Sequence, residues 1–431
     1  MLRLATNIDQ YKEYIKIIQC LIQVVDKKHY LKKTHADGHG NPHYFWDLIK
    51  QTLRWYYRYL EVLDDLLEKP LKPKYRKLEM LLILGLVRID CLNEQDHYIV
   101  HHSVEVSKSM GASWAAALVN KVLRSYLRDK ERFHDLYQHK QSLMMAHPGW
   151  LIRSIKKSWP DDWFNIVLSN QSIPLKWLNV TSNEQKKHLL SKYEQQLTAS
   201  PLISTALHVH NYEVMNELMV KRDYWGYIQD ISAQMLHLVL KQLPKPRNVL
   251  DACAAPGGKT FILLRDYKDI HLTCADVDLS RIEVLKENIA RFSETKDLTI
   301  IQKDWVCDGF VATQSYDLIV MDAPCSGSGT IKRHPEKKFN PWDLNALVSI
   351  QKTMLKNLWQ CLKPGGYLVY ATCSLLRDEN ALQIASFLSE QKDGVSVDIE
   401  LPVGSEDVYG WQILPNAEMD GHYFAVLKKL G

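Results

Sequence analysis

Residues 249–260 read VLDACAAPGGKT, and this stretch decides the fold of the C-terminal half of the chain. An apolar run typical of a buried strand leads into a turn of small residues and then into the start of a helix. Two common glycine-rich turns do not fit it. The P-loop needs a glycine where this chain has Cys253, and the dinucleotide fingerprint G-x-G-x-x-G is not present. The cofactor turn of S-adenosylmethionine (SAM) enzymes needs only small residues, because SAM has no phosphate.

Acidic residues after the next two predicted strands favour SAM. The strand HLTCAD ends at Asp276, and Asp304 follows the strand LTIIQ. A carboxylate in the first position can accept hydrogen bonds from both ribose hydroxyls, and one in the second can accept from the adenine amino group. An NAD site would share the first feature, and Asp278 is an alternative to Asp276. Together the turn and the acids predict a SAM site.

Outward from this turn, apolar strands and helical patterns alternate from about residue 235 to the end of the chain. This alternation predicts a parallel sheet covered by helices on both faces, and the late strand GHYFAVLKK (421–429) suits an antiparallel addition. Residues 1–140 have helical periodicity throughout, with a basic row at Lys121, Arg124 and Arg128. The segment between mixes short helices and strands. The predicted fold class is therefore multidomain, all-α followed by α+β and α/β.

Composition and local sequence argue against a membrane-spanning protein and against a secreted, disulfide-rich one. The 431 residues are 46% hydrophobic and 24% charged, as in soluble globular proteins. The N-terminus has no apolar signal region, and the apolar stretch 80–87 is too short to cross a bilayer. The eight cysteines form no CxxC pair, so we expect reduced thiols, no metal site and a cytoplasmic location. The surplus of Lys and Arg lies in the N-terminal third, which suits either a binding surface or a solvated one.

Two cysteines lie directly after predicted buried strands, in DAPCSGSGT (322–330) and GYLVYATCS (366–374). Enzymes that methylate exocyclic amines carry an Asn/Asp-Pro-Pro-aromatic motif at the first place. A cysteine there suits different chemistry, because C5 of a pyrimidine becomes nucleophilic only after a thiolate adds to C6. A nearby carboxyl group would stabilise the charge that develops on the ring. The residues alone leave open whether Cys325 or Cys373 attacks, and the Pro-Cys context favours Cys325.

Long motifs in this chain resemble those of RNA 5-methylcytosine methyltransferases of the NOL1/NOP2/Sun family. The N-terminal segment resembles the NusB-like RNA-binding domain, and that fusion is typical of the bacterial RsmB/Sun branch. The stretches that carry the resemblance are DACAAPGGKT (251–260), DAPCSGSGTIKRHPEKKF (322–339), YATCSLLRDENALQI (370–384) and YIVHHSVEVSKSMGASWAAALVNKVLRSYLR (98–128). The resemblance implies a NusB-like helical domain at 1–140, a connecting domain at 141–234 and a Rossmann-like class I SAM-dependent methyltransferase domain at 235–431.

The resemblance also implies a role for each site residue. Cys373 would be the nucleophile, Cys325 would assist product release, and Asp322 would lie near N3 of the base and beside the cofactor. The expected SAM-binding residues are Cys253, Ala254, Ala255, Pro256, Gly257, Gly258, Lys259, Asp276, Asp304 and Asp322. The expected partner of a monomeric enzyme is naked or partly assembled 16S ribosomal RNA. Another RNA, such as transfer RNA, and a non-catalytic RNA-binding factor are the alternatives.

The loop after Cys325 gives three further expectations. Arg333, Lys337 and Lys338 are candidate phosphate contacts, and a structural or RNA-binding role suits His334 better than that of a catalytic base. The glycines of SGSGT are expected to leave room for a flipped-out base. In the connecting domain the family often has Leu-Arg-Val-Asn, whereas the matching stretch WLNVT (177–181) of this chain has Asn179 in place of the arginine and Thr181 in place of the asparagine. That departure removes one expected arginine contact, either to RNA or to local structure.

Overall fold

A computed structural model describes residues 7–31, 42–92, 94–220, 226–291, 297–307, 310–312 and 315–431. The chain divides into two compact units. Unit 1 comprises Met1–Ser172 and Ile331–Pro341, and unit 2 comprises Ile173–Thr330 and Trp342–Gly431. None of the helices within the described ranges is long and apolar enough to cross a membrane.

Unit 1 is helical, as its periodicity predicts. Its helices are α1 (Asn7–Val25), α2 (Pro42–Leu66), α3 (Arg76–Cys91), α4 (Asp96–Ser109), α5 (Ala116–Arg128), α6 (Lys130–His139), α7 (Gln141–Met145), α8 (Gly149–Ser158) and α9 (Trp163–Ser169). Helix α3 is central, since most of its side chains are buried, and α5 buries one apolar stripe. The predicted basic row lies on the exposed face of α5, where Lys121 pairs with Glu68 and Arg128 with Asp129.

The segment Ile331–Pro341 belongs to unit 1, although the residues on either side of it belong to unit 2. Phe339 stacks on Tyr57 of α2 with ring centroids 5.4 Å apart. Lys338 is 0% exposed, and its ammonium donates to the carbonyls of Arg54 (2.7 Å) and Ala146 (3.1 Å). The prediction that Lys338 contacts phosphate is therefore wrong, because its side chain is an internal hydrogen-bond donor. Burial lowers the pKa of Lys338 well below its ordinary value.

Unit 2 begins with a small antiparallel sheet, in agreement with the predicted mixture of short elements. Its elements are β1 (Trp177–Val180), α10 (Asn183–Lys192), β2 (Leu197–Ala199), β3 (Ala206–Val209), α11 (Tyr212–Val220) and β4 (Gly226–Ile228). The strand order is β2-β3-β1-β4. Asn179 on β1 is fully buried, and its side chain accepts a hydrogen bond from Arg265 and donates one to Gln229. This asparagine therefore has an internal structural role.

The large sheet of unit 2 is mixed. Its strands are β5 (Asn248–Asp251), β6 (His271–Asp276), β7 (Leu298–Gln302), β8 (Tyr316–Asp322), β9 (Leu362–Thr372), β10 (Gly394–Val397), β11 (Ser405–Asp407), β12 (Gly410–Ile413) and β13 (His422–Lys429). Strands β9-β8-β5-β6-β7 are parallel neighbours, and β13 pairs antiparallel with β9. The parallel strands and the late antiparallel strand confirm the prediction. The short antiparallel strands β10, β11 and β12 were not predicted.

Helices cover both faces of the large sheet. They are α12 (Ile231–Gln234), α13 (Leu236–Lys241), α14 (Gly258–Asp266), α15 (Leu279–Ile289), α16 (Leu344–Gln360) and α17 (Ala381–Glu390). Two apolar cores result, one on each side of the central strands. Because the central strands are parallel, their carboxyl ends lie at the same edge of the sheet. Ligands of open α/β sheets bind at that edge. The predicted site residues lie at those strand ends or in the loops that follow them, except Gly258 and Lys259, which begin α14.

Candidate functional site

The predicted cofactor turn connects β5 to α14. Gly257 has a φ of +114°, which a side chain would disfavour, and Gly258 is the first residue of the helix. Asp251 ends β5 and is fully buried. One of its oxygens accepts a hydrogen bond from the Thr260 hydroxyl (2.7 Å), while Oδ1 has no hydrogen-bond partner in the described part of the chain. Burial raises the pKa of Asp251 to about 7, and the nearby Asp322 also raises it.

The two predicted acidic ligands lie at the ends of the neighbouring strands. Asp276 ends β6 and is buried, where it accepts hydrogen bonds from the backbone N–H of Ala255 (3.2 Å) and of Asp278 (3.1 Å). Asp276 therefore shapes the cofactor turn as well as facing it. Asp278, the alternative, caps the N-terminus of α15. Asp304 follows β7, is exposed, and accepts from the Val306 N–H at 2.8 Å.

Lys259 connects the cofactor turn to the cysteine loops. Its ammonium lies 2.6 Å from Oδ2 of Asp322, the last residue of β8, and its side chain is 7% exposed. Burial by itself would lower the pKa of Lys259, but the charges of Asp322 and then of Cys373 raise it above its ordinary value. The lysine is therefore a buried cation that pairs with the Asp322 carboxylate and interacts electrostatically with Cys373, one of the two candidate nucleophiles.

The structure brings the two cysteines together. Strands β8 and β9 are parallel neighbours with Asp322 opposite Ala371, so the loops that follow them lie side by side. The sulfurs of Cys325 and Cys373 are 3.6 Å apart. A backbone hydrogen bond from Gly329 to the carbonyl of Cys373 (2.9 Å) joins the two loops. Both thiols therefore lie at one place above the carboxyl edge of the sheet.

Gly329, one of the two glycines after Cys325, allows a close backbone contact and does not leave space for a base. A Cβ atom on Gly329 would lie 2.6 Å from the carbonyl oxygen of Gly421. The Gly421 N–H donates to the Gly329 carbonyl at 2.8 Å, so the two backbones are in direct contact. Gly327 has a φ of +63°, which favours glycine. The expectation that these glycines leave room for a base is wrong for Gly329, because the Gly421 backbone occupies that space.

Sequence reasoning missed a buried polar group beneath the cysteines. Ser326 and Ser374, which follow the two cysteines in sequence, both donate hydrogen bonds to Glu379. Gln351 on α16 also donates to this carboxylate. The available signals were the serines of CSGS and TCS and the acid in the RDEN stretch. The sequence does not show that these residues form a group, because the serines and the acid are far apart in sequence and each residue type is common on surfaces.

The chemistry of the turn fits SAM. SAM carries a positively charged sulfonium and an ammonium group, which suit carboxylates. Asp251, Asp276 and Asp322 end strands β5, β6 and β8, and Asp304 follows β7. Among the described residues, Oδ1 of the buried Asp251 has no hydrogen-bond partner. Such an oxygen is costly to bury unless a donor or a cation approaches it. The residues present therefore fit a cationic cofactor.

Comparisons with known proteins agree with this geometry. Three family descriptions match successive parts of the chain: the NusB family at 15–128, an RsmF/B-like ferredoxin-like domain at 147–214, and the 16S rRNA methyltransferase RsmB/F at 237–428. The probable ribosomal RNA small subunit methyltransferase B of Coxiella burnetii is 32% identical over 417 residues, which cover 94% of this chain and 97% of the relative. The chain belongs to the RsmB/F family of 16S rRNA methyltransferases. The ribosomal RNA small subunit methyltransferase B of Vibrio cholerae is 34% identical, covering 88% of this chain and 87% of the relative.

Solved structures show the same fold. One of them, at 20% identity, covers 96% of this chain and 99% of its own with a TM-score of 0.72. The NSun6 protein from Pyrococcus horikoshii, solved with SFG, has a TM-score of 0.55 at 16% identity over 66% of this chain and 98% of its own. The RsmB/F family chain is thus a methyltransferase with a NusB-type helical domain, a small ferredoxin-like domain and a mixed-sheet catalytic domain.

Proposed function

We propose that the protein transfers a methyl group from SAM to C5 of a cytidine in 16S ribosomal RNA, through a covalent bond between Cys373 and C6 of the base. The observation that carries this proposal is the pair of thiols 3.6 Å apart at the ends of adjacent parallel strands, beside the Lys259–Asp322 ion pair. Methylation of an amine or a hydroxyl needs no thiol. Two adjacent thiols suit a reaction in which one forms a bond to the base and the other helps to break it.

Each step follows from the chemistry of the pyrimidine. When bound, SAM would supply an electrophilic methyl group, and the rest of the molecule would leave as a neutral thioether that keeps the electron pair of the broken carbon–sulfur bond. The Cys373 thiolate forms a bond to C6, and the electron pair of the C5–C6 double bond moves to C5, which takes the methyl group. Cys325, which must be a thiolate at this step, then accepts the proton of C5 and becomes a neutral thiol. The electron pair of that C–H bond restores the double bond and expels the Cys373 thiolate. The net change at C5 is the replacement of one proton by one methyl group.

Charged groups near the thiols support these steps. The Lys259 ammonium attracts the Cys373 thiolate, since the two groups interact and the lysine is buried. Asp322 lies at the end of β8, directly before the Cys325 loop. To stabilise the negative charge that develops at N3 of the base, its carboxyl group must carry a proton that it donates to N3. Residues 253–259, with Asp276, Asp304 and Asp322, would hold SAM. The cysteine order is inferred from the family motifs, because the 3.6 Å separation of the two sulfurs does not by itself identify the nucleophile. The interaction of Lys259 with Cys373 agrees with that order.

Membership of a 16S rRNA methyltransferase family supports the RNA substrate. A fold neighbour was solved with SFG, an analogue of SAM, which supports the cofactor. The target base must leave its stack to reach a thiol, so single-stranded or partly assembled RNA is the expected substrate. Methylation of transfer RNA would need the same residues. A non-catalytic RNA-binding role would need neither thiol nor the acidic cofactor turn.

The test uses labelled SAM and 16S RNA from a strain that lacks the protein. Wild-type protein should methylate one cytosine, which bisulfite mapping locates. Cys373→Ala should abolish transfer, and Cys325→Ala should accumulate a protein–RNA adduct that survives denaturation. Transfer that persists in Cys373→Ala would refute the assigned nucleophile. Transfer RNA methylated in preference to 16S RNA would support the alternative substrate, and no methylation of either would refute the enzyme proposal.

A further inference from the structure

A closed polar cluster lies beneath the two cysteines. It consists of Ser326, Ser328, Ser374 and Glu379, and we call it the serine–carboxylate cluster. Ser326 is 5% exposed and the other three side chains are 0% exposed. The three hydroxyl oxygens lie 3.1–3.2 Å from one another. A charged side chain buried this completely is unusual unless several donors surround it.

Donors from both cysteine loops converge on the Glu379 carboxylate. One oxygen accepts from the backbone N–H of Ser326 (2.8 Å) and from the Gln351 amide (3.0 Å). The other accepts from the hydroxyls of Ser326 and Ser374, each at 2.5 Å. Hydrogen bonds to an ionised carboxylate are shorter and stronger than those between neutral groups. Glu379 therefore holds two loops that are 48 residues apart in sequence.

The carboxylate also fixes the direction of the hydroxyl groups. The Ser326 oxygen accepts the backbone N–H of Ser328 (3.3 Å), and the Ser374 oxygen accepts that of Leu376 (3.0 Å). The hydroxyls of Ser326 and Ser374 donate to Glu379, which leaves their oxygen lone pairs for these N–H groups. One acceptor thus organises the backbone that immediately follows each cysteine.

Glu379 is itself held firmly. Its backbone carbonyl accepts the hydroxyl of Tyr370 on β9 at 2.7 Å, and its N–H donates to the Leu376 carbonyl. Gln351, which donates to its side chain, also donates to the carbonyl of Pro324 at 2.9 Å. The residue after Cys325 is therefore bonded directly to Glu379, and the residue before it is linked to Glu379 through Gln351.

We propose that Glu379 is a positioning residue that sets the separation of the Cys325 and Cys373 thiols. It acts through Ser326 and Ser374, the residues that follow the two cysteines, and does not touch the base. The role in catalysis rests on the proposed two-thiol function. The geometric role does not, because the separation of two thiols can be measured without RNA or SAM.

The direct probe is phenylarsine oxide, whose trivalent arsenic forms bonds to two thiols at once and releases water. It requires two sulfurs close together, so its affinity reports their separation. We expect wild-type protein to bind one equivalent, and Cys325→Ser to lose that binding. Glu379→Ala should bind at least about tenfold more weakly, since several charge-assisted hydrogen bonds are lost. Glu379→Gln keeps the shape and one acceptor, so it should recover part of the affinity.

A matched control is Glu390→Gln, at the exposed end of α17, where the carboxylate pairs with Lys352. It should bind the arsenical as the wild type does.

In methyl-transfer assays Glu379→Gln should lower kcat at least about tenfold while the KM for SAM changes less than about twofold, because the cofactor turn is separate from the cluster. A purely structural role would instead lower stability and leave the arsenical affinity of the folded protein unchanged.

The outcomes separate the two proposals. Unchanged arsenical affinity in folded Glu379→Ala overturns the positioning role. If that variant does not fold, Glu379→Gln and Ser374→Ala decide, and wild-type affinity in both overturns it. Weakened affinity in the variants together with no methyl transfer by the wild-type protein would keep the positioning role and refute the proposed function.

Discussion

Replacing Asp251 with asparagine should make the ligand-free protein more stable at neutral and higher pH. Asp251 is fully buried at the end of β5, and burial raises its pKa from 3.8 to about 7. Thr260 and Lys259 offset part of that rise, whereas Asp322 adds to it. Asparagine has nearly the same shape and can still accept the Thr260 hydrogen bond, but it never has to ionise in this site.

The sign of the effect follows from linkage. Because the folded-state pKa of Asp251 is the higher one, its contribution to stability is fully present below about pH 4 and is lost as the pH rises through 7. At about 1.4 kcal/mol per pH unit, the rise from 3.8 to about 7 corresponds to about 4 kcal/mol in total. Between pH 5 and pH 8 the asparagine variant should therefore gain about 2–3 kcal/mol relative to wild type.

The assay is urea unfolding of both proteins at several pH values, followed by tryptophan fluorescence. Calorimetric titration with SAM provides a second arm. A cation binds more tightly beside an ionised carboxylate, so wild-type affinity should rise as the pH passes 7, and the affinity of Asp251→Asn should be lower and independent of pH. If the stability of both proteins depends on pH in the same way, the pKa of Asp251 is not raised in the folded protein.

Two further predictions concern side chains that the structure places in tight contact. Lys338→Met should destabilise the protein by about 2–3 kcal/mol in thermal unfolding, because the carbonyls of Arg54 and Ala146 lose a buried donor. The control is Lys72→Met, at an exposed position, which should change stability by less than about 0.5 kcal/mol. Gly329→Ala should lower stability by about 1–3 kcal/mol and also slow methyl transfer, since its Cβ would displace the Gly421 backbone and the Cys373 loop, to which Gly329 is hydrogen-bonded. The control is Gly149→Ala, whose Cβ would meet only the end of the Arg153 side chain, so neither stability nor methyl transfer should change.

Local patterns predicted the parts of the fold that depend on local sequence. The strands β6, β8 and β9 have 6, 7 and 11 residues, and their apolar runs are those expected of strands covered on both faces. Strand β5 has only 4 residues and is identified by the cofactor turn that follows it. Parallel order then places Asp276, Cys325 and Cys373 at one edge without further information. The helices of unit 1 followed equally from their periodicity. Strands β10, β11 and β12 have three or four residues each, which is too short for an alternating pattern to be distinguished from a loop.

The features that could not be predicted depend on contacts distant in sequence. Lys338 lies in a basic loop that suggests a solvated surface, but its ammonium is bonded to the carbonyl of Arg54, 284 residues away. Glu379 belongs to a charged stretch typical of a helix start, and only the tertiary structure shows that its partners are Ser326, 53 residues earlier, and Ser374. A single sequence does not reveal which polar residue finds a buried partner, because the same residue types are common on surfaces.

The attack of Cys373 on the base is tested by locating the covalent bond in the protein–RNA adduct of Cys325→Ala. The adduct would be formed with SAM and 16S RNA, digested with nuclease and protease, and analysed by mass spectrometry. If Cys373 is the nucleophile, a methylated pyrimidine is attached to the peptide that contains Cys373. A nucleotide attached to any other residue, or no adduct from a folded variant when the wild-type protein is active on the same RNA, would contradict that assignment.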